Sequence, residues 1–245
     1  MIASGYTEIL MTNEFLRIPS GNGELDVALH RPAAPKAWVV TLHGLESNKE
    51  GSKYFALAER LDPLGIGVVR FDFRGCGVST GDFAGTNVAT RVDDALAVLN
   101  RASTWPGGHR LGLFGSSMGG YVGFFVAAHA RWRNRLGAFV SLASPENLDD
   151  LMGPALQHMA PMHAFVEEYR TGGYRAVPAG VANVLLLHGE RDDVVPVAHA
   201  QRIWDGLSEP RKMRIFPGGD HRFSSLGDLG VALDESTAWF RRLLS

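Results

Sequence analysis

A series of short apolar runs, most of them ending in a glycine-bearing turn, constrains this chain more than any other feature. Ala37–Leu42 runs into His43-Gly44, Gly67–Phe73 into Arg74-Gly75, and Arg110–Phe114 into Gly115. Leu136–Leu142 stops before Pro145, Ala182–Leu187 before His188-Gly189, and Met213–Phe216 before Pro217-Gly218-Gly219. Their apolarity is continuous rather than alternating, which predicts strands covered on both faces. Helical patterns lie between them. Val88, Val92, Ala95, Leu96 and Leu99 share one helical face, and Leu226, Leu229, Leu233, Phe240 and Leu244 share another. Tyr54–Leu61 and Val197–Leu207 read the same way, and Tyr121–Ala130 is apolar nearly all round, the mark of a buried helix. Ahead of all these, Glu14–Pro19 and Glu24–His30 flank an Asn-Gly turn signal and read as a hairpin. The prediction is a mostly parallel, eight-stranded α/β sheet with helices on both faces.

The stretch from Pro145 to Gly180 breaks this rhythm. It contains no convincing strand, and holds Leu148, Leu151, Met152, Leu156, Met159, Met162, Phe165 and Tyr169, with prolines at 154 and 161. A long irregular insertion in a compact domain usually serves function. It reads as a short helical lid, residues 146–180, inserted in a single domain spanning 1–245. Met152, Leu156, Met159, Met162 and Phe165 are its candidate substrate contacts; equally, an apolar lid must bury one face on the core.

Composition narrows the class. The 245 residues carry 24 Lys+Arg against 26 Asp+Glu, a balance that does not suit a nucleic-acid binder. No apolar run approaches the roughly 18 residues of a membrane helix. The single cysteine, Cys76, forms neither an intrachain disulfide nor a Cys-based zinc site. Glu8 and Glu14 stand where a secretory signal would be basic and apolar. The expectation is a cytoplasmic monomer or homodimer acting on a small molecule, with no nucleic-acid or membrane partner.

Chemistry concentrates at strand ends. Gly115-Ser116-Ser117-Met118-Gly119 has the form G-x-S-x-G between a predicted strand and a predicted helix. A sharp strand-to-helix turn holds its central residue strained and outward, and only small residues fit two positions either side. A chain with 29 glycines can match such a pattern by chance; the strand–helix setting argues for a nucleophile at Ser117. A serine needs a base. His221, in the loop after the last predicted strand, hangs where a base could reach, although a lone loop histidine is more often mere surface. His158 and His163, in the lid, are spaced wrongly for a metal pair on one helix face. The orienting acid is Asp192 or Asp193, both just beyond Ala182–Leu187; adjacent acids there could also cap the next helix. Two backbone N–H groups suit an oxyanion hole: Met118, next to the serine, and Leu45, in the loop after Ala37–Leu42.

With these segments in order, the chain resembles the α/β-hydrolases over nearly all its length. The match runs through His43-Gly44, Asp72-Phe73-Arg74-Gly75-Cys76-Gly77-Val78-Ser79, the Ser117 elbow, Gly189-Glu190-Arg191-Asp192-Asp193-Val194-Val195-Pro196 and Gly219-Asp220-His221. The resemblance implies Asp192 rather than Asp193 as the catalytic acid, in the family's order of serine, acid, histidine. It implies a structural turn at Asp72–Ser79. The short lid and Leu42–Glu50 resemble small carboxylesterases, including feruloyl-esterase-like and serine-aminopeptidase-like members. The expected activity is ester hydrolysis through an acyl-enzyme on Ser117, without metal or organic cofactor. The same triad can serve a thioester, an amide, another acyl acceptor or a C–C bond, and a retired hydrolase could simply bind a ligand.

Overall fold

The computed structural model describes residues 13–151 and 162–245. A hairpin of β1 (Asn13–Ser20) and β2 (Gly23–His30) opens it. Then follow β3 (Ala37–Leu42), α1 (Ser52–Leu61), β4 (Ile66–Phe71), α2 (Val88–Ala102) and β5 (Leu111–Ser116). Next come α3 (Met118–Ala128), β6 (Leu136–Leu142), α4 (His163–Arg170) and β7 (Val184–Gly189). The chain closes with α5 (Ala198–Gly206), β8 (Arg211–Phe216) and α6 (Leu226–Leu244). The eight strands form one sheet in the order β1-β2-β4-β3-β5-β6-β7-β8. The β1–β2 and β2–β4 pairings are antiparallel and those from β4 to β8 are parallel.

Successive strand residues point to opposite faces, and both faces here are apolar. Leu113 and Phe139 face α2 and α3, in a core with Val92, Leu99, Val122 and Phe124. Their neighbours Phe114 and Val140 face α1 and α6, with Leu57, Leu61, Leu233 and Phe240. This double cover is why the central strands read as continuous apolar runs.

Several boundaries differ from the sequence reading, each for a local reason. The hairpin loop is Gly21-Asn22, since Gly23 already pairs with Ser20, and Gly21 takes the left-handed turn at φ 54°. Strand β4 stops at Phe71, because the Asp72 carboxylate accepts the Lys49 and Val78 amides and starts a turn. Helix α3 begins at Met118, three residues early: its glycines fit against strand ends instead of forming a loop. Strand β8 begins two residues early, at Arg211. Between β6 and β7 the described residues hold α4 and one antiparallel bridge, Asn147 to Ala176. Glu168 on α4 accepts the Val88 and Ala89 amides at 2.7 and 3.0 Å, capping the N-terminus of α2 and pinning α4 there.

Candidate active site

Strand register brings the candidate residues to one rim. Leu42 lies opposite Gly115, Ser116 opposite Leu142, Leu142 opposite Leu187, and Gly189 opposite Phe216. The loops leaving β3, β5, β7 and β8 therefore emerge side by side at the C-terminal edge of the parallel strands. That is where open α/β sheets place their sites.

Ser117 sits at φ 55°, ψ −124°, a left-handed conformation rare outside glycine. Its amide donates to the Leu142 carbonyl at 2.8 Å, which fixes the turn between β5 and α3. The flanking glycines are required by space: a Cβ on Gly119 would enter the Leu42 carbonyl, and one on Gly115 would enter the Gly120 backbone. The Ser117 hydroxyl is 3.0 Å from His221 Nε2. On the ring's other side, Nδ1 lies 2.8 and 3.0 Å from the two Asp192 oxygens. A carboxylate only accepts, so Nδ1 carries the proton and Nε2 is left as acceptor for the serine.

Asp192 is held from four directions. Its Oδ1 accepts the Val194 and Val195 amides at 3.0 and 2.7 Å, and Oδ2 lies 3.3 Å from His188 Nε2. Burial alone would raise its pKa; hydrogen bonds from His188, His221 and the Val195 amide outweigh it and hold the carboxyl well below the usual range. Asp193 is exposed and takes no part in these hydrogen bonds. Thus the structure brings together Ser117, His221 and Asp192.

The loop after β3 is braced by a residue the sequence reading treated only as a strand-ending signal. Buried His43 accepts the Phe73 amide at Nε2, 3.1 Å, and its Nδ1 donates to the Gly44 carbonyl at 2.7 Å. Burial, then the Arg91 charge, pushes its pKa down to about 4, so the ring is neutral and this pattern is stable at neutral pH. Gly44 comes close to Ser117: a Cβ on it would lie 3.6 Å from Ser117 Cβ. Further along, Lys49 Nζ bridges Asp72 and Asp26 at 2.9 and 2.7 Å. Arg74 pairs with Asp94 at 2.7 Å. Asp72 thus ties the loop after β4 to the loop after β3, and Arg74 ties it to α2.

Ser117 and His221 open into a cavity of about 680 Å³. Leu45 and Met118 line it near the serine, and Leu148, Leu151, Phe165 and Val195 form an apolar wall. Of the five lid candidates, Phe165 lines the cavity, whereas Met162 is buried in the core and does not. Met152, Leu156 and Met159 lie outside the described residues. Leu148 and Leu151 were legible only as part of the apolar stretch. Lys53 was not legible at all: it lines the cavity from α1, donates to Ser116 Oγ at 2.9 Å, and burial pushes its pKa down to about 8.

Residues 33–170, more than half of the chain, match the family model described as serine aminopeptidase, S33. The chain belongs to the serine aminopeptidase S33 family of α/β-hydrolases. This hydrolase is 27% identical to the uncharacterized protein YfhR of Escherichia coli K12 over 208 residues, 83% of this chain and 67% of YfhR. Mouse mitochondrial palmitoyl-protein thioesterase ABHD10 is 25% identical over 232 residues, 80% of this chain and 72% of that protein. Its solved structure superposes with a TM-score of 0.71, covering 95% of this chain and 99% of that one at 23% identity. Est1E from Butyrivibrio proteoclasticus, solved with ferulic acid bound, gives a TM-score of 0.77 at 18% identity, covering 94% and 99%. Among the hydrolase's described residues, no helix is long and apolar enough to cross a membrane, and no cluster of His, Cys, Asp and Glu suits a metal ion.

Proposed function

We propose that this hydrolase cleaves carboxylic esters of small to medium acyl or aryl groups, using Ser117 as nucleophile, His221 as base and Asp192 as orienting acid. The hydrogen-bonded chain from Ser117 Oγ through His221 to Asp192, opening on the cavity, carries the reading. As the hydroxyl attacks the acyl carbon, His221 Nε2 takes its proton, and Asp192 stabilises the imidazolium through Nδ1–H. The Leu45 and Met118 amides receive the oxyanion, with the α3 N-terminus behind Met118 adding its dipole. His221 then protonates the departing alcohol. Water, deprotonated by His221, attacks the acyl-enzyme and frees the acid. The sequence as written needs no metal or organic cofactor. The segment between β6 and β7 acts as a lid, with Leu148, Leu151 and Phe165 as its apolar contacts.

A thioester is the second reading, favoured by the relation to a protein named palmitoyl-protein thioesterase. Both readings are tested with p-nitrophenyl esters of increasing chain length beside the matching acyl thioesters, using wild type and Ser117→Ala. Turnover lost in the variant, with covalent labelling of Ser117 by an organophosphonate, is expected. The better leaving-group class decides between ester and thioester. A folded wild type that neither turns over nor labels sinks both.

A further inference from the structure

Lys53 is a cation without a countercharge inside the cavity that Ser117 opens into. Its ammonium donates to Ser116 Oγ, a neutral acceptor, in the residue directly before the nucleophile. Among the described residues no carboxylate pairs with it, and burial is the one influence resolved on its charge. The other charged residues that line the cavity, Glu46 and Arg222, are exposed; fully buried Arg91, which acts on His43, does not line it. Lys49 is saturated by Asp26 and Asp72, and Asp192 is engaged with His188 and His221. At the mouth, exposed Glu46 and Arg222 are of opposite sign. The cavity lining therefore carries one net positive charge, which shares the cavity with apolar Leu148, Leu151 and Phe165. A half-buried ammonium whose neighbours, the Ser116 hydroxyl and the Tyr54 ring 6.0 Å away, carry no negative charge is costly to keep charged, and an anion entering the cavity would relieve that cost.

We propose that the substrate is an ester carrying a second, free carboxylate, and that Lys53 receives this carboxylate while Ser117 attacks the ester. This rests on the esterase reading above. The bridge would be a charge-assisted hydrogen bond from Nζ to a carboxylate oxygen, with the carbon skeleton along the apolar wall. Such a bond confers a preference on the order of 10-fold or more over a neutral substrate of similar shape.

The test compares kcat/KM within matched pairs. On the acyl side the pair is mono-p-nitrophenyl adipate and p-nitrophenyl heptanoate. On the alcohol side it is 4-(butyryloxy)phenylacetate and 4-methylphenyl butyrate. Each ratio is taken within one enzyme preparation, so loss of active protein cancels. Wild type is expected to prefer the anionic member of at least one pair about 10-fold. Lys53→Met should abolish that preference, and Lys53→Arg should restore part of it. A wild type that prefers the neutral esters in both pairs overturns the proposal while leaving the esterase reading intact. So does a preference unchanged in Lys53→Met, whatever happens to the absolute rates. Absence of hydrolysis of all four esters, with no organophosphonate label on Ser117, is the separate result that removes the esterase reading and this proposal with it.

Discussion

His188 Nε2 stands 3.3 Å from Asp192 Oδ2 and 2.8 Å from the Val195 carbonyl oxygen. Both neighbours accept, so Nε2 is protonated and one N–H braces the carboxylate and the chain three residues beyond it. His188→Leu leaves both oxygens short of a donor. We expect a loss of stability of about 1–3 kcal/mol and a fall in kcat on the order of tenfold as Asp192 loses its fixed aim. His188→Gln, which keeps a donor, should recover part of each. Urea unfolding and ester kinetics on the two variants check this; equal behaviour of Leu and Gln would contradict a donor role.

Asp192→Asn tests the other end of the same contact. An amide oxygen still accepts, but its NH₂ can turn toward His221 and force the proton to Nε2. The serine then faces a donor. The drop in kcat should be on the order of 10³–10⁴-fold with the fold retained. Asp193→Asn, at an exposed neighbour, should stay within about threefold, because surface substitutions disturb little.

Glycines at the rim divide into two kinds. A methyl group on Gly119 meets the Leu42 carbonyl, which cannot move without dragging the end of β3. Gly119→Ala should cost roughly 3 kcal/mol or more and yield little folded protein. A methyl group on Gly44 reaches Ser117 Cβ only at 3.6 Å, ordinary contact distance. Gly44→Ala should fold with a stability change below about 1 kcal/mol and show its effect in kcat. Circular dichroism melts alongside kinetics would separate them.

Acid should destabilise the fold before it reaches the carboxylates. His43 and His30 are both held near pKa 4, by burial first and then by the Arg91 and Arg70 charges respectively. In the unfolded chain each binds its proton near the ordinary value of 6.5, so between those values the unfolded state carries more protons. Stability is therefore full above about pH 6.5 and falls progressively toward pH 4. For His43 the loss is on the order of 2–4 kcal/mol. Urea midpoints at pH 7, 6 and 5 measure the slope, and His43→Gln should flatten it. A midpoint independent of pH across this range would refute the assignment.

Much of this was legible because the chain states it locally. Continuous Val and Leu runs announce strands buried on both faces, and each glycine turn marks where a strand ends. The Ser117 elbow is a local steric device, so a short window of sequence contains it. Other features depend on partners far along the chain. Strand β8 begins with Arg211, Lys212 and Arg214, charges suited to a sheet edge, which masked its first residues from an apolar-run reading. Helix α3 starts earlier than its apolar run suggests, because Gly119 and Gly120 look like loop until the β3 end and Ser144 are seen against them. His43 gave no sign of bracing Gly44, since its acceptor role depends on the Phe73 amide, 30 residues away. Lys53 sits at the start of an ordinary amphipathic helix, and nothing in its neighbours distinguishes it from a solvated lysine.

Ser117 and His221 are 104 residues apart and meet only where β5 and β8 are both in place in one sheet. During synthesis the serine leaves the ribosome long before the histidine does. Until β8 docks beside β7, the hydroxyl lacks the His221 contact and, on the proposed mechanism, is as inert as any alcohol in water. On the proposed mechanism, nascent chains and unfolded molecules are therefore inactive. If Ser117 reacts as proposed, its reactivity switches on with the last strand, and its covalent labelling is a direct clock for completion of the sheet.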